Sequence, residues 1–450
     1  MKTRYKVLIA LVAVVGLFVA AGVVAGVLAL VILSQDEPPP DDSDLRVERA
    51  EVPDEQNAFT YFDEAWQLLH AAGDEQLEEV QKALDGGAWD PNLGQQFLDA
   101  GGGILERLER GLVCSRLQAP EIRSMAEDYP YIGHWAKLGQ WSLVRMGVLR
   151  KFGRSDALFD EAARTVRFGH LIEAAGLPLH VSVVGTSVKS GALHAVRETL
   201  AESSLSPDRL ADCAKAIDRC IAEKHAICDS WRAEYGLFIR TLEDVTSGRA
   251  DPAITGHEPG TALAPGMNWH PNRTRHMFAE VFRTFIGNVG RAYSEKREVA
   301  SPLQPGRWAK WKTVLGGNAM GKAFVGLSLS PCRAVEDLRY RVRVELAATR
   351  ALLAMKAFKV EKGRLPETLD KLVPEYLEAV PLDDFDGKPL RYNAEKKVIY
   401  SVGKDLKDAG GMTEEEQKAW WTQENPSWDY QEYGEPDVWQ LPDPSFAIEF

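Results

Sequence analysis

"SPCRAVEDLRYRVRVELAATRALLAMKAFKVEKG", residues 330–363, decides what kind of fold to expect. Its apolar side chains recur at helical spacing along the whole stretch, and Gly363 is a helix stop signal. Ser330-Pro331 reads as the start, because proline is tolerated in a first helical turn. Two further stretches read the same way. "AFTYFDEAWQLLHAA" (58–72) sets Phe59, Phe62, Ala65, Trp66 and Leu69 on one stripe. From Ser206, a capping residue followed by Pro207, one long helix is expected through "DRLADCAKAIDRCIAEKHAICDSWRAEYGLFIRTL". Long amphipathic elements of this kind bury their apolar faces against one another, so the expected architecture is a mainly α antiparallel array.

Strand character is confined to "LRY" (390–392) and "KVIYSV" (397–402), which read as a hairpin joined through "NAEKK". Residues 247–271 are rich in Gly and Pro and read as an irregular loop. The last forty residues carry Trp420, Trp421, Trp428, Tyr430, Tyr433 and Trp439, an aromatic content that predicts a strap packed on the fold.

At the other end, Val7 to Leu33 contains no charged side chain, longer than the roughly 20 residues that span hydrocarbon. Lys2, Arg4 and Lys6 precede it and Asp36, Glu37, Asp41, Asp42 and Asp44 follow. That asymmetry predicts a single-pass transmembrane helix, a cytoplasmic N-terminus, and the bulk of the chain outside the cytoplasm at the cell membrane. "SQDEPPPDDSD" (34–44) then reads as a solvated, semi-extended spacer. The expected divisions are 1–34 for the cytoplasmic tip and membrane helix, 35–50 for the linker and 51–330 for a helical ectodomain. A small α+β module over 331–411 and an acidic aromatic tail over 412–450 complete the chain.

The formal charge of −13 argues against nucleic acid as a partner. Five cysteines in 450 residues are too few for a disulfide framework. Cys213, Cys220 and Cys228, spaced by seven and eight, fall along one helix stripe two turns apart and cannot close around one ion, so they read as core. "GTSVKSG" (185–191) fits neither the phosphate loop nor the nucleophile elbow, and its small residues suit a helix crossing. His134, His170, His180 and His194 are scattered singly. "VPLDDFDGKPLRY" (380–392) gathers three aspartates, but a calcium loop with Gly387 as its sixth residue would need ligands at Leu382 and Asn393. Asp383, Asp384 and Asp386 therefore read as a turn before a strand, with nothing local to set one carboxyl's pKa against another's. Asn272 of "HPNRT" reads as the cap of the helix that follows.

Residues 351–411 resemble the C-terminal domain of the major pseudopilin of type II secretion. Gly363, Pro366, Leu369 and Leu372 carry the first motif, Asp383, Phe385, Gly387, Pro389 and Tyr392 the second, and Tyr400, Ser401, Gly403 and Asp405 the third. In those proteins the following loop binds calcium, so the resemblance implies Ser401, Asp405 and Asp408 as oxygen donors. After Gly16 the chain reads "LFVAA", with Ala21 where the pseudopilin pattern places the glutamate that aligns filament subunits. "QNAFTYFDEAW" (56–66) and "HPNRTRHMFAEVF" (270–282), with the same C-terminal module, are similar to a family of bacterial membrane-anchored proteins that carries no assigned activity. The expected function is a non-enzymatic interaction or scaffold component of the envelope, with protein partners and a link to secretion. A membrane-anchored hydrolase and an atypical filament subunit are the alternatives.

Overall fold

The computed structural model describes residues 35–47, 49, 51–123, 129–221, 224–249, 269–302, 318–424 and 438–450. Twelve α-helices lie among them. They are α1 (Ala58–Ala72), α2 (Asp74–Leu84), α3 (Pro91–Ala100), α4 (Gly102–Val113), α5 (Pro130–Lys151) and α6 (Ser155–Glu173). The series continues with α7 (Leu179–Leu200), α8 (Pro207–Asp218), α9 (Lys224–Thr246), α10 (Pro271–Asn288), α11 (Ala319–Lys362) and α12 (Glu414–Glu424). Strands β1 (Arg391–Asn393), β2 (Val398–Tyr400) and β3 (Ser445–Ala447) form one antiparallel sheet in that order. The helical class and the hairpin are as expected.

The membrane anchor is not. Among the described residues no helix is long and apolar enough to cross a membrane. The segment 7–33 on which the anchor rested lies outside the described residues, as do Trp428, Tyr430 and Tyr433. The single-pass topology, and the cell-membrane placement derived from it, are accordingly withdrawn. What stands is a mainly helical chain with a three-stranded sheet.

The chain divides into two compact units. One comprises Met1–Arg46, Phe238–Arg283 and Val299–Pro331; the other comprises Val47–Leu237, Thr284–Glu298 and Cys332–Phe450. The first is built on aromatic packing: Phe238 stacks on Phe278 at 5.1 Å, and Phe324 meets Phe278 edge-on at 5.2 Å. Its acidic residues 36–44 are no free spacer. The Asp36 carboxylate accepts the backbone N–H groups of Asn272 at 2.7 Å and Arg273 at 3.1 Å, so it caps α10 from outside the helix. Asn272, the expected cap, instead donates its side-chain amide to the Glu37 carbonyl at 2.7 Å. Asp42 pairs with Arg275 and Asp44 with Arg283. Arg273, Arg275 and Arg283 of α10 attract this acidic segment, and a carboxylate at a helix N-terminus satisfies two otherwise orphaned donors.

The second unit holds the main core, to which α1, α4, α5, α6, α7 and the sheet contribute. α1 has the expected bounds and is capped by Asn57, which accepts from Phe59 N–H at 3.1 Å. Ser206 caps α8 as read, accepting from Arg209 N–H at 3.3 Å. The single helix expected from there is two, α8 and α9. His170 of α6 supplies the reason: its ring Nδ1 lies 3.0 Å from the Cys220 carbonyl, an oxygen a continuous helix would have used four residues on. α11 departs the other way, running through Pro331 instead of starting there. Leu327, Ser330 and Pro331 are exposed, so the bond proline removes lies where water replaces it, while Phe324, Val325 and Leu329 bury the earlier turns. The tail does strap the fold: β3 pairs with β2 through Ile399 and Phe446, and Trp439 packs on Phe385.

Candidate functional site

Asp383 is fully buried. Its carboxylate accepts from Phe385 N–H at 3.0 Å, Ser401 Oγ at 2.9 Å and Val402 N–H at 2.9 Å, and pairs with Arg391 at 3.2 Å. Arg391 also holds Asp386 at 2.5 Å. Asp384 points elsewhere, to Arg343. Burial pushes the Asp383 and Asp384 carboxyls up. At Asp386 burial also pushes up, but the bonds from Arg391 and the Lys388 N–H outweigh it and the pKa falls below the usual range. The carboxyls are thus separated in acidity, contrary to the local reading, because the groups that separate them arrive from β1 and β2. Every oxygen of Asp383 is engaged in fastening the turn to the sheet, which makes it a structural carboxylate.

Ser401 Oγ is therefore committed to Asp383. Asp408 accepts from Tyr400 Oη at 3.1 Å and pairs with Arg391 at 3.2 Å, and Asp405 accepts from Lys407 N–H at 3.0 Å on an exposed loop. The residue that sequence reasoning missed in this loop is Asp443. Its Oδ2 accepts the Ala409 and Gly411 N–H groups at 2.9 and 2.8 Å, while Oδ1 accepts no hydrogen bond. It arrives from the tail, 32 residues beyond Gly411, with no local signal. Among the described residues no three His, Cys, Asp or Glu side chains form a group able to hold a metal ion.

The charges that sequence reasoning did not place lie inside the helical core. Gly169 of α6 and Gly185 of α7 meet so closely that a Cβ on either would stand 2.4 Å from the other's carbonyl oxygen. "GTSVKSG" is thus the expected crossing of small residues. The close approach also lets Lys189 lie across Gly169 and pair with Glu173, both buried. Burial pushes the Glu173 carboxyl up, but Lys189 and Arg339 outweigh it and leave it below the usual range. His170, one turn before Glu173, is lowered to about 4, first by burial and then by Lys189 and Arg167. It is a neutral ring at physiological pH, and its carbonyl partner fixes the proton on Nδ1. The described cysteines 114, 213, 220, 228 and 332 are all free thiols, and burial pushes Cys213 up to about 12, as suits core packing.

On the far side of His170 a cleft of about 700 Å³ opens, lined among others by Arg49, Arg116, Gln118, His170, His225 and Asp229. Its size suits a ligand or peptide segment. Its walls are tied across the chain. Arg49 donates to the Gly176 carbonyl at 3.2 Å, Gln118 accepts from Val52 N–H at 2.8 Å, and Asn57 bonds Gln118 in both directions at 2.8 Å. Asp229 pairs with Arg232 at 2.7 Å. The cleft is therefore a framed concavity, with the Arg49 and Gln118 side chains serving as cross-braces.

No family model, no curated protein and no solved structure matches this chain, so neither the pseudopilin resemblance nor a role in secretion gains support from known proteins.

Proposed function

We propose that the chain is a non-enzymatic interaction or scaffold component that receives a protein segment in the cleft lined by Val47, Arg49, Val52, residues 115–119 and α6. The observation that carries this reading is the bracing of the cleft's walls through Arg49 and Gln118. General acid–base work needs a group that titrates near the working pH. His170, at about 4 and bonded to the Cys220 carbonyl, is held out of that range. A braced concavity supports binding, because little ordering is left to be done when a partner enters.

A photo-crosslinking residue placed at Ser115, on the exposed rim of the cleft, tests this against the same residue at Glu75, which is exposed on α2. The expected result is one discrete protein partner captured from Ser115 and absent from Glu75. Capture that is equal at both positions overturns the reading. So does ester or amide turnover by the purified chain that disappears in His225→Ala, which would support a hydrolase.

A further inference from the structure

A second cavity in the same unit, about 40 Å³, is lined by Trp231 of α9, Phe285 and Asn288 of α10, and Glu336, Arg339 and Tyr340 of α11. That is room for more than one water, which needs about 10–15 Å³, and for the head group of a small anion. Exposed Gly290 and Arg291 also line it and form its rim.

Arg339 is the unusual member. It is only 8% exposed, yet its Nε and Nη1 have no hydrogen-bond partner, and Nη2 reaches only Ser182 Oγ at 3.5 Å. The guanidinium carbon lies over the Trp231 ring at 5.5 Å, a cation–π contact that supplies no acceptor to Nε or Nη1. A buried guanidinium cannot shed its proton, so its charge and donors require compensation. The carboxylates within reach are already claimed. Glu173 is paired with Lys189, and Glu336 accepts from Asn288 at 3.1 Å and Lys296 at 3.2 Å. Lys296 also pairs with Asp337 at 3.6 Å, and Arg339 itself makes no ion pair with Glu173, Glu336 or Asp337. Asp384, also on the cavity wall, is held by Arg343.

We propose that this cavity is a binding site for a small carboxylate, whose oxygens accept from Arg339 while its apolar part rests against Phe285 and Tyr340. Carboxylate is the chemistry that an open guanidinium edge favours, and the aromatic walls favour an organic anion over a hydrated inorganic one. The head group can belong to a free small acid or to the C-terminus of a peptide. This site is separate from the cleft and does not depend on its reading.

The test is titration of the full chain with 13C-labelled acetate, followed by NMR line broadening, with sodium chloride at matched ionic strength as the control. Saturable binding is expected, with Kd on the order of 1 mM for so small a ligand. Arg339→Gln should weaken it at least tenfold. Because that variant also removes a buried charge, Val289→Phe serves as the second: Val289 is half-buried on the cavity wall, and the larger ring narrows the cavity with Arg339 in place. A triglycine peptide and its C-terminal amide distinguish the sources. Tighter binding of the free-acid peptide than of acetate assigns the site to peptide termini, and binding of acetate alone assigns it to small acids. Non-saturable broadening, equal binding by both variants, or displacement of acetate by equimolar chloride overturns the proposal and leaves a water-filled cavity.

Discussion

Lys189→Met is the most informative single change in this molecule. The replacement keeps an unbranched side chain of similar length, so packing across Gly169 is preserved and the charge alone is removed. Breaking a buried ion pair from one side costs about 3–5 kcal/mol, because the remaining charge is stranded. Glu173 retains the attraction of Arg339, which places the expected loss at the lower end, about 3 kcal/mol at pH 7. The pH dependence carries the diagnostic sign. In the native chain the Glu173 carboxyl is depressed below its ordinary value, so its contribution is complete above about pH 4.5 and is lost as pH falls through the folded-state value. In the variant burial dominates and raises the carboxyl, so its penalty grows as pH rises above about 4.5. The difference between the two proteins should therefore be largest at neutral pH and shrink at pH 4.5. Urea unfolding followed by far-ultraviolet circular dichroism at the two pH values measures it. Adding Glu173→Gln should recover at least about 1 kcal/mol, which a double-mutant cycle reads as coupling. Additive losses, or a loss equal at both pH values, would refute the account of a buried charge pair.

Three further outcomes follow from the same geometry. Gly185→Ala places a Cβ against the Gly169 carbonyl and should lower stability by about 1–2 kcal/mol after its gain in helix propensity, whereas Gly133→Ala, open on α5, should raise it by about 0.5–1 kcal/mol in the same thermal unfolding experiment. His170 should remain neutral when titrated by NMR to pH 5.5; since its folded-state pKa is about 4, the stability it contributes is complete above about pH 6.5 and is lost as pH falls toward 4, and a midpoint near 6.5 would count against its burial. Asp383→Asn should cost about 1–3 kcal/mol, because its amide nitrogen replaces one accepting oxygen and leaves the Val402 N–H facing a donor, with a fall in melting temperature as the measure and an unchanged melt as the contrary result.

Much of the helical organisation was legible because its causes are local. Asn57 and Ser206 cap the helices that begin beside them, and the stripe of Phe62, Ala65 and Leu69 repeats within one turn. "GTSVKSG" showed small residues suited to a crossing; Cys213, Cys220 and Cys228 are core as expected but not along one stripe, since Cys213 stands on α8 and Cys228 on α9. The misreadings share a physical origin. Nothing between Asp218 and Lys224 breaks a helix by propensity; the break appears with His170, fifty residues earlier, bonded to the Cys220 carbonyl. Pro331 is a sound start signal, overridden because the turns before it bury Phe324 and Val325. Asp36 displaced Asn272 as the cap of α10 from 236 positions away.

The candidate sites were less legible than the fold. Lys189, Glu173 and Arg339 carry no local sign of their pairing until α6, α7 and α11 are packed, and Asp443 lies in the acidic aromatic tail with no local sign that it reaches Gly411. By itself the sequence determined that this is a mainly helical chain, where several of its helices begin and which thiols are core, since periodicity and capping act within a few residues. Only the tertiary structure decided which charges are buried, which acids differ in acidity and where concavities open. Desolvation and ion pairing depend on distances in space that neighbouring residues in the chain do not set.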